Sequence, residues 1–304
     1  LSGPALEALL RIPGISTIQE IGAFPFVSLD DVAHKAVEAF ADRLKGKTFA
    51  VRARRHGEHS FRSIDLERTV GGALMQASEA RGVDLKSPQV EVRIEVHDDQ
   101  FHIAHRKHRG LGGYPLGSVE NVLTLISGGY DSSVAAYLMM RRGLRNHFLF
   151  FNLGGAAHEV GVRQVVHYLW DRYGASHSAK FISVPFEGVV AEIMRSVSHR
   201  HWGVVLKRQM LMAAAEIAKK NNASGVVTGD AVAQVSSQTL SNLNVVDRAS
   251  DEVVLRPLVS MDKESIIRIA REIGTEVYAR NMPEYCGVIS QKPATRAKLH
   301  RVEE

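Results

Sequence analysis

The chain has 304 residues, 38 Lys and Arg against 33 Asp and Glu, a net charge of +5 and a hydrophobic content of 45%. That length suits two domains with separate cores, and the ordinary composition excludes a disordered or fibrous chain. A single cysteine excludes an internal disulfide and a cysteine-built zinc or iron–sulfur centre. No apolar run reaches the ~20 residues that cross a bilayer, so the expectation is a cytoplasmic protein with no membrane partner.

In chain order, residues 5–10 read as a helix, Pro13-Gly14 as a turn and 15–21 as a strand. That is too little for a domain, and residues 1–24 are expected to be the tail of one lying upstream. Ser28 then caps a helix over 29–44, which Gly46 ends. A strand follows at 48–54 and a helix at 64–80. Strands at 90–96 and 100–105 form a hairpin across Asp98-Asp99. The order predicts a small α+β module over 25–109. Its basic residues gather in two clusters. One holds Arg52, Arg54, Arg55, His56, His59 and Arg62; the other holds His105, Arg106, Lys107, His108 and Arg109. Strand alternation puts Arg52 and Arg54 on one face. Either cluster alone reads equally as a solvated surface or a phosphate-backbone site. Two in one small module favour RNA.

Residues 110–118 are a glycine-rich linker and the natural boundary. Beyond it, strands at 122–126, 147–152, 180–184, 225–228 and 253–255 alternate with helices at 133–142, 158–173, 188–196, 204–221 and 263–273. This predicts an α/β domain over 119–304, a parallel sheet wound with helices on both faces. Between its first strand and helix lies Ser127-Gly128-Gly129-Tyr130-Asp131-Ser132-Ser133. Glycines let the backbone approach a phosphate, and the first N–H groups of the helix point at it. The hydroxyls of Ser132 and Ser133 can add hydrogen bonds, and Asp131 can hold Mg²⁺ beside the phosphates. The Gly-Lys-Ser/Thr of the Walker loop is absent. The segment resembles the SGGxDS pyrophosphate loop of the N-type ATP pyrophosphatases.

Several polar residues break local rules. Lys207 lies on the apolar face of its helix with Met210, Leu211, Ala214 and Ala218, and either snorkels or meets an anion. Lys263 follows the expected cap Asp262, where the helix dipole disfavours a cation unless an anion is bound. Thr228-Gly229-Asp230-Ala231, Gln234 and Ser236-Ser237-Gln238-Thr239 leave a strand's carboxyl end, as a ligand loop does. Cys286, between Pro283 and Gly287, reads as a small buried hydrophobe or as a reactive loop thiol.

Taken together these strings resemble the tRNA 4-thiouridine synthetase (tRNA uracil 4-sulfurtransferase) family over essentially the whole chain. The match includes Arg54-Arg55-His56-Gly57, Gly112-Gly113-Tyr114-Pro115, the Ser127–Asp131 loop, Asn152-Leu153-Gly154-Gly155-Ala156-Ala157-His158-Glu159, Gln234-Val235-Ser236-Ser237-Gln238-Thr239 and Pro283-Glu284-Tyr285-Cys286-Gly287. The resemblance implies the end of a ferredoxin-like domain at 1–24, a tRNA-binding THUMP domain at 25–109 and a catalytic domain of the adenine nucleotide α-hydrolase type. It implies ATP contacts at Leu125, Ile126, Lys207, Gly229 and Gln238, beside the loop residues Ser127, Gly128, Gly129, Asp131, Ser132 and Ser133. It makes Asp131 and Lys263 essential for adenylation and Cys286 a partner in sulfur transfer.

The implied reaction adenylates O4 of a tRNA uridine, at position 8 in the family, and releases pyrophosphate. A persulfide sulfur then displaces AMP. Cofactors are ATP and Mg²⁺. The partners are tRNA, a second copy of the chain and a cysteine desulfurase acting through a rhodanese domain. That domain would begin where this sequence stops, and the sequence begins with Leu1 rather than Met, so a shortened form without the sulfur relay is expected. Some family members also feed thiamine biosynthesis. An amide-forming ligase of the GMP or NAD synthetase type leaves the basic module without a role. A pure RNA-binding protein leaves Asp131, Lys207 and Lys263 without one.

Overall fold

The computed structural model describes residues 3–283 and 293–303. The elements run α1 (Pro4–Leu10), β1 (Thr17–Pro25), α2 (Leu29–Leu44), β2 (Thr48–His56), α3 (Ser63–Ala77), β3 (Gly82–Val83), β4 (Val90–His97) and β5 (Gln100–Arg109). They continue with β6 (Asn121–Leu125), α4 (Tyr130–Arg141), β7 (Arg145–Asn152), α5 (Gly155–Leu169), β8 (Phe181–Pro185), α6 (Glu187–Ser196) and α7 (Trp202–Lys220). The last are β9 (Val226–Val227), α8 (Leu240–Asp247), β10 (Val254–Leu255), α9 (Lys263–Ile273), α10 (Glu276–Ala279) and α11 (His300–Glu303). The chain divides into two compact units, one holding Thr17–Gly110 and the other Leu111–Glu304 together with Glu7–Ser16.

The first unit is a five-stranded sheet ordered β1-β5-β4-β2-β3. Helices α2 and α3 cover one face. Val32, Ala36, Phe40 and Leu44 of α2 and Leu66, Val70 and Leu74 of α3 recur at helical spacing. They bury against Phe49, Val51, Val92, Ile94, Val96, Phe101 and Ile103 of the strands. The alternate strand positions Glu91, Arg93 and Glu95 face solvent, so the opposite face of this sheet is polar and open. The start of α2 is fixed by a capping box. The Ser28 hydroxyl accepts from the Asp31 amide, and the Asp31 carboxylate accepts from the Ser28 amide.

Two features differ from expectation. The sequence pattern places residues 1–24 outside this module, yet β1 is its edge strand, paired with β5 from Thr17 opposite Arg109 to Pro25 opposite Gln100. Its apolar residues do not alternate cleanly and a bulge falls between Glu20 and Ile21, which hides the strand's register from a sequence pattern. The same ladder carries β5 on to Arg109, beyond the expected end at 105.

The second unit is a five-stranded, wholly parallel sheet ordered β10-β9-β6-β7-β8. Alternation along β6 and β7 splits its side chains between two cores. Val122, Phe148 and Phe150 pack with α4, α5 and α9. Leu123, Leu149 and Phe151 pack with α6, α7 and α8. This is the doubly wound α/β architecture expected. Helix α8 was not expected; it is short and its cap is Thr239, whose hydroxyl accepts from the Asn242 amide. From β6 the chain builds outward through β7 and β8, then returns to place β9 and β10 on the other side. The order reverses at β6, so the loops after β6 and β9 meet at the carboxyl edge.

Ser28→Ala should lower stability by about 1 kcal/mol, and Ser28→Asp should restore it, both read by denaturant unfolding.

Candidate functional site

Strand β6 ends at Leu125, and the Ile126 amide donates to the Leu149 carbonyl at 2.9 Å. The chain then turns through Ser127 and Gly128, whose φ of +82° is the left-handed conformation glycine allows. Gly129 caps α4, which begins at Tyr130 rather than at the expected 133. Asp131, Ser132 and Ser133 therefore lie in the first turn, where early helix N–H groups lack intrahelical partners and make an anion site. The two serine hydroxyls brace this loop. Ser132 Oγ accepts from the Ser127 amide at 3.2 Å. Ser133 is buried, and its hydroxyl donates to the Tyr130 carbonyl at 2.9 Å.

Two lysine–carboxylate pairs flank the loop. Lys263 Nζ, at the start of α9, donates to Asp131 Oδ1 at 2.8 Å, and Gln234 Nε2 donates to Oδ2 at 2.9 Å. The carboxylate offsets the cost of a cation at a helix N-terminus. Lys207 Nζ donates to Asp230 Oδ1 at 2.5 Å, so this lysine meets an anion of the protein itself. Gln238 Nε2 donates to the same carboxylate at 3.0 Å and Thr228 Oγ1 at 2.8 Å, with Arg256 Nε at 3.5 Å. Burial pushes the Asp230 carboxyl up, but the Lys207 charge and the hydrogen bonds from Lys207, Thr228 and Gln238 outweigh it and hold the group at about 2. Gln238 Oε1 is buried without a hydrogen-bond partner, an acceptor that a ligand N–H would satisfy.

Gly229 joins the two pairs. A Cβ there would lie 2.9 Å from both the Asp131 carbonyl carbon and the Ser132 nitrogen. The loop after β9 thus rests directly on the first turn of α4, and only glycine permits it. Asp230, Gln234 and Arg256 were not assigned roles from sequence. The available signal was an acid at a strand's carboxyl end in a segment already marked as a ligand loop.

On the other side, His158 Nε2 donates to the Ser127 carbonyl at 3.4 Å, so that nitrogen carries the proton. Burial lowers the imidazole's pKa, and the Ser127 hydrogen bond works against it. His158, Gly161, Tyr278, Asn281 and Met282 line a cavity of about 300 Å³. Met282 lies over Gly128. Cys286 falls outside the described residues.

The expected RNA contacts divide by their surroundings. Arg52 donates to the Leu85 carbonyl and lies 3.6 Å from Glu91. Arg55 sits over the Phe61 ring at 5.7 Å, and His59 contacts the Asp98 carbonyl at 2.7 Å. These three brace the first unit. Arg54, His56, Arg106, Lys107 and Arg109 are exposed. Arg54 lies on β2; Arg106, Lys107 and Arg109 lie on β5, with β4 between the two strands.

A parallel doubly wound sheet with a Ser-Gly-Gly loop at its switch point, in a chain with a separate α+β unit, defines an α/β protein with the adenine nucleotide α-hydrolase type of fold. The sequence model described as "Thiamine biosynthesis protein (ThiI)" matches residues 117–304, and that of the THUMP domain matches 26–106. The chain belongs to the ThiI family. A tRNA sulfurtransferase of Marinobacter nauticus is 81% identical over 304 residues, 100% of this chain and 63% of that protein. One from Pseudomonas aeruginosa is 54% identical over 298 residues, 98% of this chain and 62% of that protein. The chain thus spans less than two thirds of these relatives. The crystal structure of a 4-thiouridine synthetase–RNA complex with bound ATP superposes with a TM-score of 0.84 at 25% identity, covering 99% of this chain and 80% of that one.

Asp230→Ala leaves Lys207 and Arg256 without their shared carboxylate and should cost about 3–5 kcal/mol in denaturant unfolding. The Asp230 carboxyl stands at about 2 when folded against 3.8 as a free group. Its contribution is full above the higher value and is lost as pH falls through the lower one. Stability of Asp230→Asn should therefore fall less steeply than that of the wild type across this acid range.

Proposed function

We propose that this chain supplies the tRNA-binding and adenylating parts of an ATP-dependent tRNA thiolation that yields 4-thiouridine. The observation that carries the reading is the Ser127–Asp131 loop at the switch point, flanked by the Asp131–Lys263 and Asp230–Lys207 pairs. A triphosphate lies against the first turn of α4, where backbone N–H groups take its charge. Lys263 turns from Asp131 to the phosphates and, with Lys207 held in place by Asp230, stabilises charge that develops at the α-phosphorus. Uridine O4 attacks that phosphorus, and the bond to pyrophosphate breaks. The uracil C4–O4 oxygen, a poor leaving group on its own, now departs as AMP when a persulfide sulfur attacks C4. A second thiol then takes the carrier sulfur of the resulting disulfide and frees the thiocarbonyl; we assign that thiol to Cys286.

Asp131 fits Mg²⁺. Its donors are oxygens, each accepts one described hydrogen bond, and lone pairs remain on both. Bound there, the ion would neutralise phosphate charge. The exposed Arg54, Arg106, Lys107 and Arg109, with His56, are the proposed contacts to the tRNA backbone. Arg52, Arg55 and His59 shape the surface that presents them. We further assign the chain a cysteine desulfurase as sulfur source, a homodimeric assembly, a cytoplasmic setting and a link to thiamine synthesis, all resting on family membership. No helix among the described residues is long and apolar enough to cross a membrane.

The test is release of AMP and pyrophosphate from ATP and Mg²⁺ with and without unmodified tRNA. Release should require tRNA and fall by at least about 10²-fold in Asp131→Ala. Tight tRNA binding with no release would overturn the adenylating role.

A further inference from the structure

We propose that His56, Glu95 and His97 form a divalent transition-metal site of the zinc class on the open face of the first unit's sheet. The three residues lie on the parallel neighbours β2 and β4, with His56 directly opposite His97 in register. Glu95 lies two residues before His97, so strand alternation puts all three on the same side. One donor atom from each lies within 4.8 Å of the others. Two imidazoles and one carboxylate suit zinc, nickel or copper; magnesium and calcium prefer all-oxygen sets.

The surroundings leave these donors to a ligand. Glu95 and His97 are 3.8 Å apart, too far for a hydrogen bond. Arg54 is the register partner of Glu95 and makes no ion pair with it among the described residues. The His56 and His97 rings stack with centroids 4.3 Å apart and planes 7° from parallel. A metal lies in the plane of each ligating ring, so one ring must turn about χ2, a broad torsion for histidine. His102 of β5 sits opposite Glu95 and edge-on to His97, with ring centroids 5.2 Å apart. Its Nδ1 is buried without a hydrogen-bond partner. It stands next to the triad as a reserve nitrogen. The ion would keep at least one position open to solvent, as three protein ligands leave room for a fourth.

This inference rests on the geometry of the first unit and not on the proposed thiolation. The test is calorimetric titration of the full chain with Zn²⁺ alone, repeated on His56→Gln, Glu95→Gln and His97→Gln. His34→Gln, an exposed histidine on α2, is the control. The wild type and control should take up one equivalent that each of the three variants loses or binds at least about tenfold more weakly. Co²⁺ should report the same site by its visible absorption, lost in the same variants while circular dichroism stays unchanged. Absence of zinc uptake by the wild type would overturn the proposal. So would triad variants that titrate like the wild type, which would put the metal elsewhere.

Discussion

One backbone contact organises the second unit. The loop leaving β9 lies against the first turn of α4 so closely that Gly229 has no room for a side chain. Parallel pairing of Leu123 with Val226 and Thr124 with Val227 fixes how far that loop rises beside β6. Asp131 and Asp230 therefore end on adjoining segments, although 99 positions separate them in the chain. Helices α7 and α9 need only bring one lysine each to complete both pairs. A shift of this contact would disturb both carboxylates and the free N–H groups of α4 together.

The two pairs are not equivalent. The side chains of Lys207 and Asp230 are 24% and 11% exposed, two further donors hold the same carboxylate and the Arg256 guanidinium lies 3.5 Å away. Taking such charges out of water is costly, and a dense hydrogen-bond network offsets it. That network keeps Gln238 and Lys207 in one arrangement. Lys263 and Asp131 are 41% and 26% exposed, with Gln234 as their further partner. A pair this wet contributes little to stability, so its partners are free to exchange. The site thus combines a rigid wall with a looser one, and the loose wall lies beside the first turn of α4.

How much of this was legible in the sequence depends on the range of each interaction. The Ser127–Asp131 loop announced itself by glycine and helix-start chemistry. Lys207 and Lys263 stood out because each broke a local rule, and each does face a carboxylate. Ser28 and Asp262 were readable caps, since capping spans three residues. The partners themselves were hidden. Asp230 is held by groups from α7, from its own loop and from Arg256, and no spacing rule links them. The place of β1 was hidden for the same reason, since its partner lies some eighty residues on. His56 and His97 could not be paired without the β2–β4 register. Helix α8 was too short for its periodicity to declare itself.

The first unit also has a property that follows from the β1–β5 ladder. Thr17 and Arg109 are cross-strand partners, so the polypeptide enters and leaves this unit at neighbouring points. A host chain can accept such a cassette by opening a single surface turn, because the gap to be bridged is hardly wider than a strand spacing. Acquisition, exchange or loss of the first unit by recombination would then leave the path of the second almost unchanged.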